Sequence, residues 1–271
     1  MKTLCNSVLD RLGLGAAARN TLNRLRYMCN PGMIIRNMRC RRKETPDGLP
    51  LQTPGMVFLV SGQFDVLELY YNGEKGASWI RELLRRNSIP LGGRILDFGC
   101  GCGRVLRFWK DLQCGGGRLY GTDCNPGLIG WCAENLDFAE VAVNDPSPPT
   151  RYQDGFFDLV YAISVFTHLS EEMQGRWLKE LMRITAPGGH IIITVHGRSR
   201  TGVLDPEQID RFEQGELVIR GGRYSGSNIC GAYHPRNYLL ELSEGGLEEV
   251  DYVESGATDA AQDVHLFRRT P

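Results

Sequence analysis

The chain has 271 residues, 42% of them hydrophobic and 23% charged, which is the makeup of a globular protein with room for one large core or a core plus an appendage. A formal net charge of −1 gives no overall field for nucleic acid or a membrane surface, and no apolar run approaches the ~20 residues that span a bilayer. The nine cysteines include no Cys-x-x-Cys pair, so the paired spacing of a zinc site is absent and no metal is expected. They read as reduced thiols in a cytoplasmic protein.

Residues 1–50 form a basic extension. Arg11, Arg19, Arg24, Arg26, Arg36, Arg39, Arg41, Arg42 and Lys43 stand there against Asp10 and Glu44. The first ten residues carry one lysine and no long apolar stretch, unlike a secretory signal. Val8, Leu9, Leu12, Leu22 and Leu25 give a broken helical pattern interrupted by Gly13, Gly15, Pro31 and Gly32, which predicts one or two short helices. A solvated or partner-packed face is the expectation for such a charge run; an anionic-partner contact and a lid are the competing readings. Residues 51–90 form a second, capping segment. Trp79, Ile80, Leu83 and Leu84 recur at helical spacing opposite Arg81, Arg85 and Arg86, predicting a helix over 73–87. Phe64, Tyr70 and Tyr71 either close over a ligand or pack between cap and core.

A core follows over 91–271. Arg94 to Phe98 reads as an apolar strand, then Gly99, Gly101 and Gly103 form a turn, and an amphipathic run from Arg104 to Trp109 predicts a helix. Glycine at the first positions permits a tight turn and close ligand approach; at Gly103 it lets the helix begin near the strand. Asp97 ends the strand. A carboxylate there disfavours a pyrophosphate, by like-charge repulsion, and favours a ligand bearing a cationic amine. The next strand, 118–123, ends in Asp123, twenty residues after Gly103, where a carboxylate reaches ribose hydroxyls in this architecture. Cys124 follows, then Asn125 as N-cap and Pro126 at the first helical position. A third strand, 139–144, ends at Asn144 and Asp145. Phe157 to Ile163 is a nearly unbroken apolar run, as a central parallel strand requires, and its far end reaches His168. Ser170 resembles the N-cap of a helix through Ile184, with Met173 where a capping box wants an acidic residue. Ala-Pro-Gly-Gly over 186–189 ends it, and an apolar fifth strand runs from His190 to His196. Residues 197–230 read as an insertion, with a short helix from Asp205 and a hairpin over 216–224 turning at Gly221-Gly222. A helix over 235–242 and an antiparallel pair, 247–253 with 263–269, close the chain.

Four motifs in order, Asp-x-Gly-x-Gly-x-Gly over 97–103, the acidic Asp123, Phe-Asp-Leu-Val-x-Ala over 157–162 with His168, and the Ala-Pro-Gly-Gly strand, resemble those of the class I S-adenosylmethionine-dependent methyltransferases across 92–269. The resemblance implies an α/β fold of three Rossmann-like layers: a mostly parallel seven-stranded sheet with an antiparallel last strand, preceded here by the helical N-terminal extension. It implies S-adenosylmethionine as cofactor, with S-adenosylhomocysteine as product. Cofactor contacts are expected from Asp97, Phe98, Gly99, Gly101, Gly103, Asp123, Cys124 and Ile163, and from Asn144 or Asp145 at the adenine. Methyl transfer is governed chiefly by alignment, so a base is needed only where the acceptor must lose a proton. His196, His168 and His234 are the candidate catalytic bases. The absence of an Asn/Asp-Pro-Pro-Tyr/Phe motif argues against methylation of a nucleic-acid base. The expected acceptor is an oxygen or nitrogen of a metabolite, natural product or glycan, with nucleic acid and membrane not expected as partners. An RNA or protein methyltransferase docking through the basic N-terminus, a non-catalytic cofactor-binding protein and a nicotinamide-dependent oxidoreductase are the alternatives.

Overall fold

The apolar runs of the sequence lie at the centre of one sheet. The computed structural model describes residues 15–41, 45–221 and 230–271. The expectations for residues 1–14, Arg42, Lys43, Glu44 and 222–224 fall outside these. Seven strands pair in the order β3-β2-β1-β4-β5-β9-β8, where β1 is Arg94–Phe98, β2 Arg118–Asp123, β3 Ala139–Val143, β4 Phe157–Ala162, β5 Thr185–Val195, β8 Leu247–Ala257 and β9 Gln262–Arg269. The first five are parallel and β9 runs antiparallel to both neighbours.

Alternation along the central strands divides the core between two helical layers. Ile95, Leu159, Tyr161 and Ile192 pack with Ile80 and Leu84 of α4 (Val66–Arg86) and with Cys132 of α5 (Pro126–Asn135). Leu96, Val160, Ile191 and Ile193 point the other way, onto Trp177, Leu178 and Leu181 of α6 (Glu171–Ile184). Each such fully buried aliphatic side chain contributes about 2 kcal/mol.

Four local expectations are corrected. The run after the glycine turn is not an α-helix: it is a chain of turns followed by a 3₁₀ helix, Leu106–Gly115, that ends at the left-handed Gly116. The side chains at Val105, Leu106 and Trp109 are still buried, so the periodic pattern reports burial rather than helix type. The helix expected over 73–87 is the second half of α4, which begins at Val66 with Asp65 as N-cap accepting from Leu67 N and Glu68 N. Ser170 occupies the N-cap of α6 without a side-chain capping bond. Finally, the strand at Val218–Arg220 (β6) pairs with Gly231–Tyr233 (β7), beyond the span expected for the hairpin. The reason is anchoring: Tyr233 bridges His196 at the end of β5, and the His234 amide donates to the His196 carbonyl at 2.8 Å. The insertion also holds a 3₁₀ helix (Arg198–Val203) and α7 (Pro206–Glu213), which carries a capping box from Asp205; α8 (Tyr238–Leu242) follows it.

The N-terminal helices α1 (Gly15–Met28), α2 (Pro31–Cys40) and α3 (Pro54–Ser61) attach to the core through aromatic and buried polar contacts. Phe64 stacks between Tyr27 and Phe58, and Tyr70 packs against Phe108, so both serve packing; Tyr71 is exposed. Arg107 is fully buried beside the glycine turn. Its guanidinium makes a bidentate pair with Asp47 at 2.7 and 3.0 Å and donates to the carbonyls of Leu49 and Pro50. Burial pushes the Asp47 carboxyl up, but bonds from Arg107 and Thr45 outweigh it and hold the group below its ordinary 3.8.

Asp47→Ala leaves that guanidinium buried without its anion and is expected to destabilise the protein by about 3 kcal/mol in urea denaturation. Because the folded pKa is depressed, the wild-type contribution is complete above pH 3.8 and is lost as pH falls through the lower folded value. Equal stability of the variant and the wild type at pH 7 would contradict this clamp.

Candidate active site

The turn after β1 is built on left-handed backbone. Gly99 has φ +73° and Gly103 φ +70°. A Cβ at Gly99 would lie 2.4 Å from Val165 Cγ2, and one at Gly103 2.4 Å from Leu136 Cδ1. The close neighbour that Gly99 admits is thus the protein's own Val165, from the segment after β4. At Gly103 the close neighbours are Leu136 and Cys132, so the glycine there admits the end of α5.

Asp123 joins this turn to the next one. Its Oδ2 accepts from Gly101 N at 3.0 Å and its Oδ1 from Asn125 N at 2.8 Å. Burial raises its pKa, against the pull of these two amides. Asn125 in turn caps α5 through Gly127 N and Leu128 N. Asn144 lies beside the same turn, its amide donating to the Asp123 carbonyl at 3.1 Å. The Asn144 side chain donates to the Asp145 carbonyl, and its Oδ1 is buried without a donor. Between the two residues that sequence left open for the adenine, Asn144 therefore presents the unmet acceptor, while Asp145 is exposed. Cys124 is exposed as well. The Phe98 side chain packs on Trp177, centroids 4.7 Å apart, and Ile163 lies in the core, so these two can offer the site only backbone.

Asp97 is buried, and burial pushes its carboxyl up to about 7; the Tyr161 hydroxyl and Arg104 pull it down, and the Asp123 charge adds to the rise. A cation entering the turn would favour its charged form. Arg104 is itself fixed by Asp259 at 2.6 Å and by the Asn72 carbonyl at 3.1 Å. The donor set suits an adenosyl sulfonium compound: a carboxylate for the ribose and an orphaned amide oxygen for the adenine amino group.

Sequence reasoning missed Ser164. It has φ +61° directly after β4 and Ile163, a conformation rare for a residue with a side chain. Its amide donates to Thr194 Oγ1 at 2.8 Å, and its hydroxyl and that of Thr194 both donate to the buried Gln262 Oε1, at 2.9 and 2.7 Å. The resulting bend lays Val165 on Gly99 and begins the 3₁₀ turn Phe166–His168. Strain of this kind leaves no sequence pattern, since its supporting residues lie 30 and 98 positions away.

The three histidines converge on β7. His168 Nδ1 meets the Cys230 carbonyl at 2.8 Å, which makes Nδ1 the protonated nitrogen and Nε2 the acceptor. Burial lowers its pKa, with the Cys230 carbonyl opposing. His196 packs its ring 5.3 Å from Tyr233; burial, then the charges of His168 and Arg200, bring it down to about 4. His234 is fully buried and is lowered to about 3 by burial and by His196 and His265. Its Nε2 lies 3.2 Å from Gln174 Oε1. All three are neutral at pH 7.

Residues 96–193 match a family model described as a methyltransferase domain. Among curated proteins, the chain is 32% identical over 135 residues to a tRNA (carboxymethyluridine(34)-5-O)-methyltransferase of Arabidopsis thaliana, covering 49% of this chain and 31% of that one. It is 27% identical over 214 residues to the mouse tRNA (carboxymethyluridine(34)-5-O)-methyltransferase ALKBH8, covering 77% of this chain and 30% of the other. The chain thus spans less than a third of the length of either tRNA methyltransferase. A ubiquinone/menaquinone biosynthesis C-methyltransferase UbiE of Laribacter hongkongensis is 25% identical over 206 residues, 71% of this chain and 82% of that one. Of solved structures, an S-adenosylmethionine-dependent methyltransferase from Mesorhizobium loti superimposes with a TM-score of 0.53 at 19% identity, over 71% of this chain and 98% of its own, which bears on the fold alone.

Replacing Asp123 by Ala removes the acceptor of both turn amides. S-adenosylhomocysteine binding, read by calorimetry, is expected to weaken by more than about 1 kcal/mol. An unchanged affinity in a folded variant would contradict the role given to this carboxylate.

Proposed function

We propose that this chain acts as a class I S-adenosylmethionine-dependent methyltransferase on a hydroxyl oxygen or an amine nitrogen of a small molecule. The cofactor supplies a sulfonium-activated methyl group. Asp123 would hold its ribose hydroxyls, Asn144 Oδ1 its adenine amino group, and the turn from Gly99 to Gly103, with Asp97 behind it, its amino-acid portion.

The observation that carries the acceptor reading is His168. A neutral imidazole whose Nδ1–H is spent on a carbonyl keeps Nε2 free to take a proton. An acceptor that already bears a carboxylate has no need of such a group; a hydroxyl or an ammonium does. The charge of His168 disfavours protonation of the neighbouring His196, and His234, locked on Gln174, holds the strand that both rings face. A roof with its own apolar cluster, Leu204, Phe212, Val218 and Tyr233, covers this end of the sheet and suits a compact acceptor. The free buried thiols, among them Cys100, Cys102 and Cys132, suit a reducing, cytoplasmic compartment.

An RNA acceptor is the second reading. It has support in the names of the tRNA-modifying relatives and in the exposed Arg24, Arg26, Arg39 and Arg41 of the N-terminal helices. Those arginines are interleaved with exposed Leu22, Leu25, Met28, Ile35 and Met38, an apolar content that phosphate binding does not call for. Among the described residues, no helix is long and apolar enough to cross a membrane.

Incubated with methyl-tritiated cofactor and a cell extract, the protein is expected to place label in the small-molecule fraction. Label in acid-precipitable, ribonuclease-sensitive material would overturn the proposal in favour of RNA. His168→Asn is expected to lower kcat by about a hundredfold while leaving cofactor affinity intact. Because the histidine pKa is depressed, the wild-type rate should stay level at pH 7–8 and fall only below the ordinary 6.5. A variant with wild-type kcat would exclude His168 as the base.

A further inference from the structure

A cavity of about 430 Å³ lies between the insertion, α8 and the closing pair β8–β9, and none of the cofactor residues lines it. Its apolar walls come from Phe212 of α7, Tyr238 of α8 and Tyr252 of β8. Its polar lining includes three carboxylates with no ion pair among the described residues, Asp263, Glu241 and Glu254. Asp263, at the start of β9, is 3% exposed; it accepts from the Tyr252 hydroxyl at 2.6 Å and from Ser255 N at 2.9 Å, yet has no cationic partner among the described residues. Glu241 and Glu254 stand exposed on the rim, likewise without an ion pair among the described residues.

The two arginines of the lining do not supply the missing charge. Arg198 is paired with Glu213 at 2.9 Å, and Arg236 makes a bidentate pair with Glu249 at 2.7 and 2.5 Å while lying over the Tyr252 ring.

His234 supplies an independent observation. Gln174 Nε2 donates to the carbonyls of Phe166 and Leu169, so Gln174 Oε1 is the acceptor that faces His234 Nε2. Nε2 therefore carries the proton and Nδ1 a bare lone pair. His234 is 1% exposed and is one of the residues lining the cavity, and its Nδ1 is buried without a hydrogen-bond partner. A buried acceptor left unmet costs about 1–3 kcal/mol, which a ligand donor would recover. Gly197 fits the same picture. A Cβ there would lie 1.6 Å from Asp263 Oδ2, so glycine is what allows the carboxylate to sit against the end of β5.

We propose that this cavity is a binding site for a protonated primary amine, held by Asp263, Glu241 and Glu254 through charge, by His234 Nδ1 through a hydrogen bond, and by the Tyr238 and Tyr252 rings through contact with its carbon skeleton. A neutral alcohol of the same shape meets the rings without the charge, and an anion meets three carboxylates. His234 belongs both to this wall and to the histidine cluster, so the site borders the acceptor region. The inference stands on the cavity and does not require His168 to be the base.

The test is calorimetry on the full chain, with cyclohexylammonium chloride and cyclohexanol as matched probes. The ammonium is expected to bind at least about tenfold more tightly than the alcohol. The E241Q/E254Q double variant alters only the exposed rim and is expected to weaken the ammonium by about tenfold, leaving the alcohol and S-adenosylhomocysteine unaffected. Asp263→Asn, in material shown to be folded by its thermal transition, should abolish the preference for the ammonium. Equal binding of the two probes, or an ammonium affinity unchanged in the double variant, would overturn the proposal.

Discussion

The site depends on one carboxylate that belongs to two turns. Asp123 ends β2, accepts the Gly101 amide from the turn after β1 and the Asn125 amide from the turn before α5. Two loops from different strands are thereby held as a single surface before any ligand arrives. Ordering them is entropically costly, and a preorganised surface spares the ligand that cost. The left-handed glycines make the arrangement sterically possible, and Val165 and Leu136 occupy the space that side chains there would need.

The N-terminal segment is tied to the same surface. Arg107 draws Asp47, Leu49 and Pro50 against the 3₁₀ helix, Gln52 donates to the Cys102 carbonyl at 2.9 Å, and Val60 of α3 approaches Gly101. The chain before β1 is thus part of the wall of the glycine turn. On the opposite side, the insertion returns through β7, and its carbonyl at Cys230 sets the tautomer of His168. Each boundary of the site is therefore fixed by a polar contact reaching far along the sequence.

Much of this was legible in the sequence because the signals are local. The apolar runs at 94–98 and 118–123 are the observed β1 and β2, and Asn125-Pro126 begins α5 as a cap and first helical residue should. Asp97, Asp123 and the pair Asn144 and Asp145 could be nominated because strand ends place them at one edge of a parallel sheet. The departures have long-range causes. The partner of β6 is decided by contacts of Tyr233 and His234 with His196, so the Gly221-Gly222 signal misleads. Ser164 is held by Thr194 and Gln262 from two other strands. The convergence of His168, His196 and His234 is a product of topology; sequence could nominate each ring but not bring them together.

The most direct test of the central claim is a crystal structure of the protein with S-adenosylhomocysteine. The ribose hydroxyls are expected on the Asp123 carboxylate, the adenine amino group on Asn144 Oδ1, and the sulfur directed toward the 3₁₀ turn that ends at His168. A nucleoside bound away from the turn joining β1 to the 3₁₀ helix, or one whose ribose leaves Asp123 untouched, would contradict it.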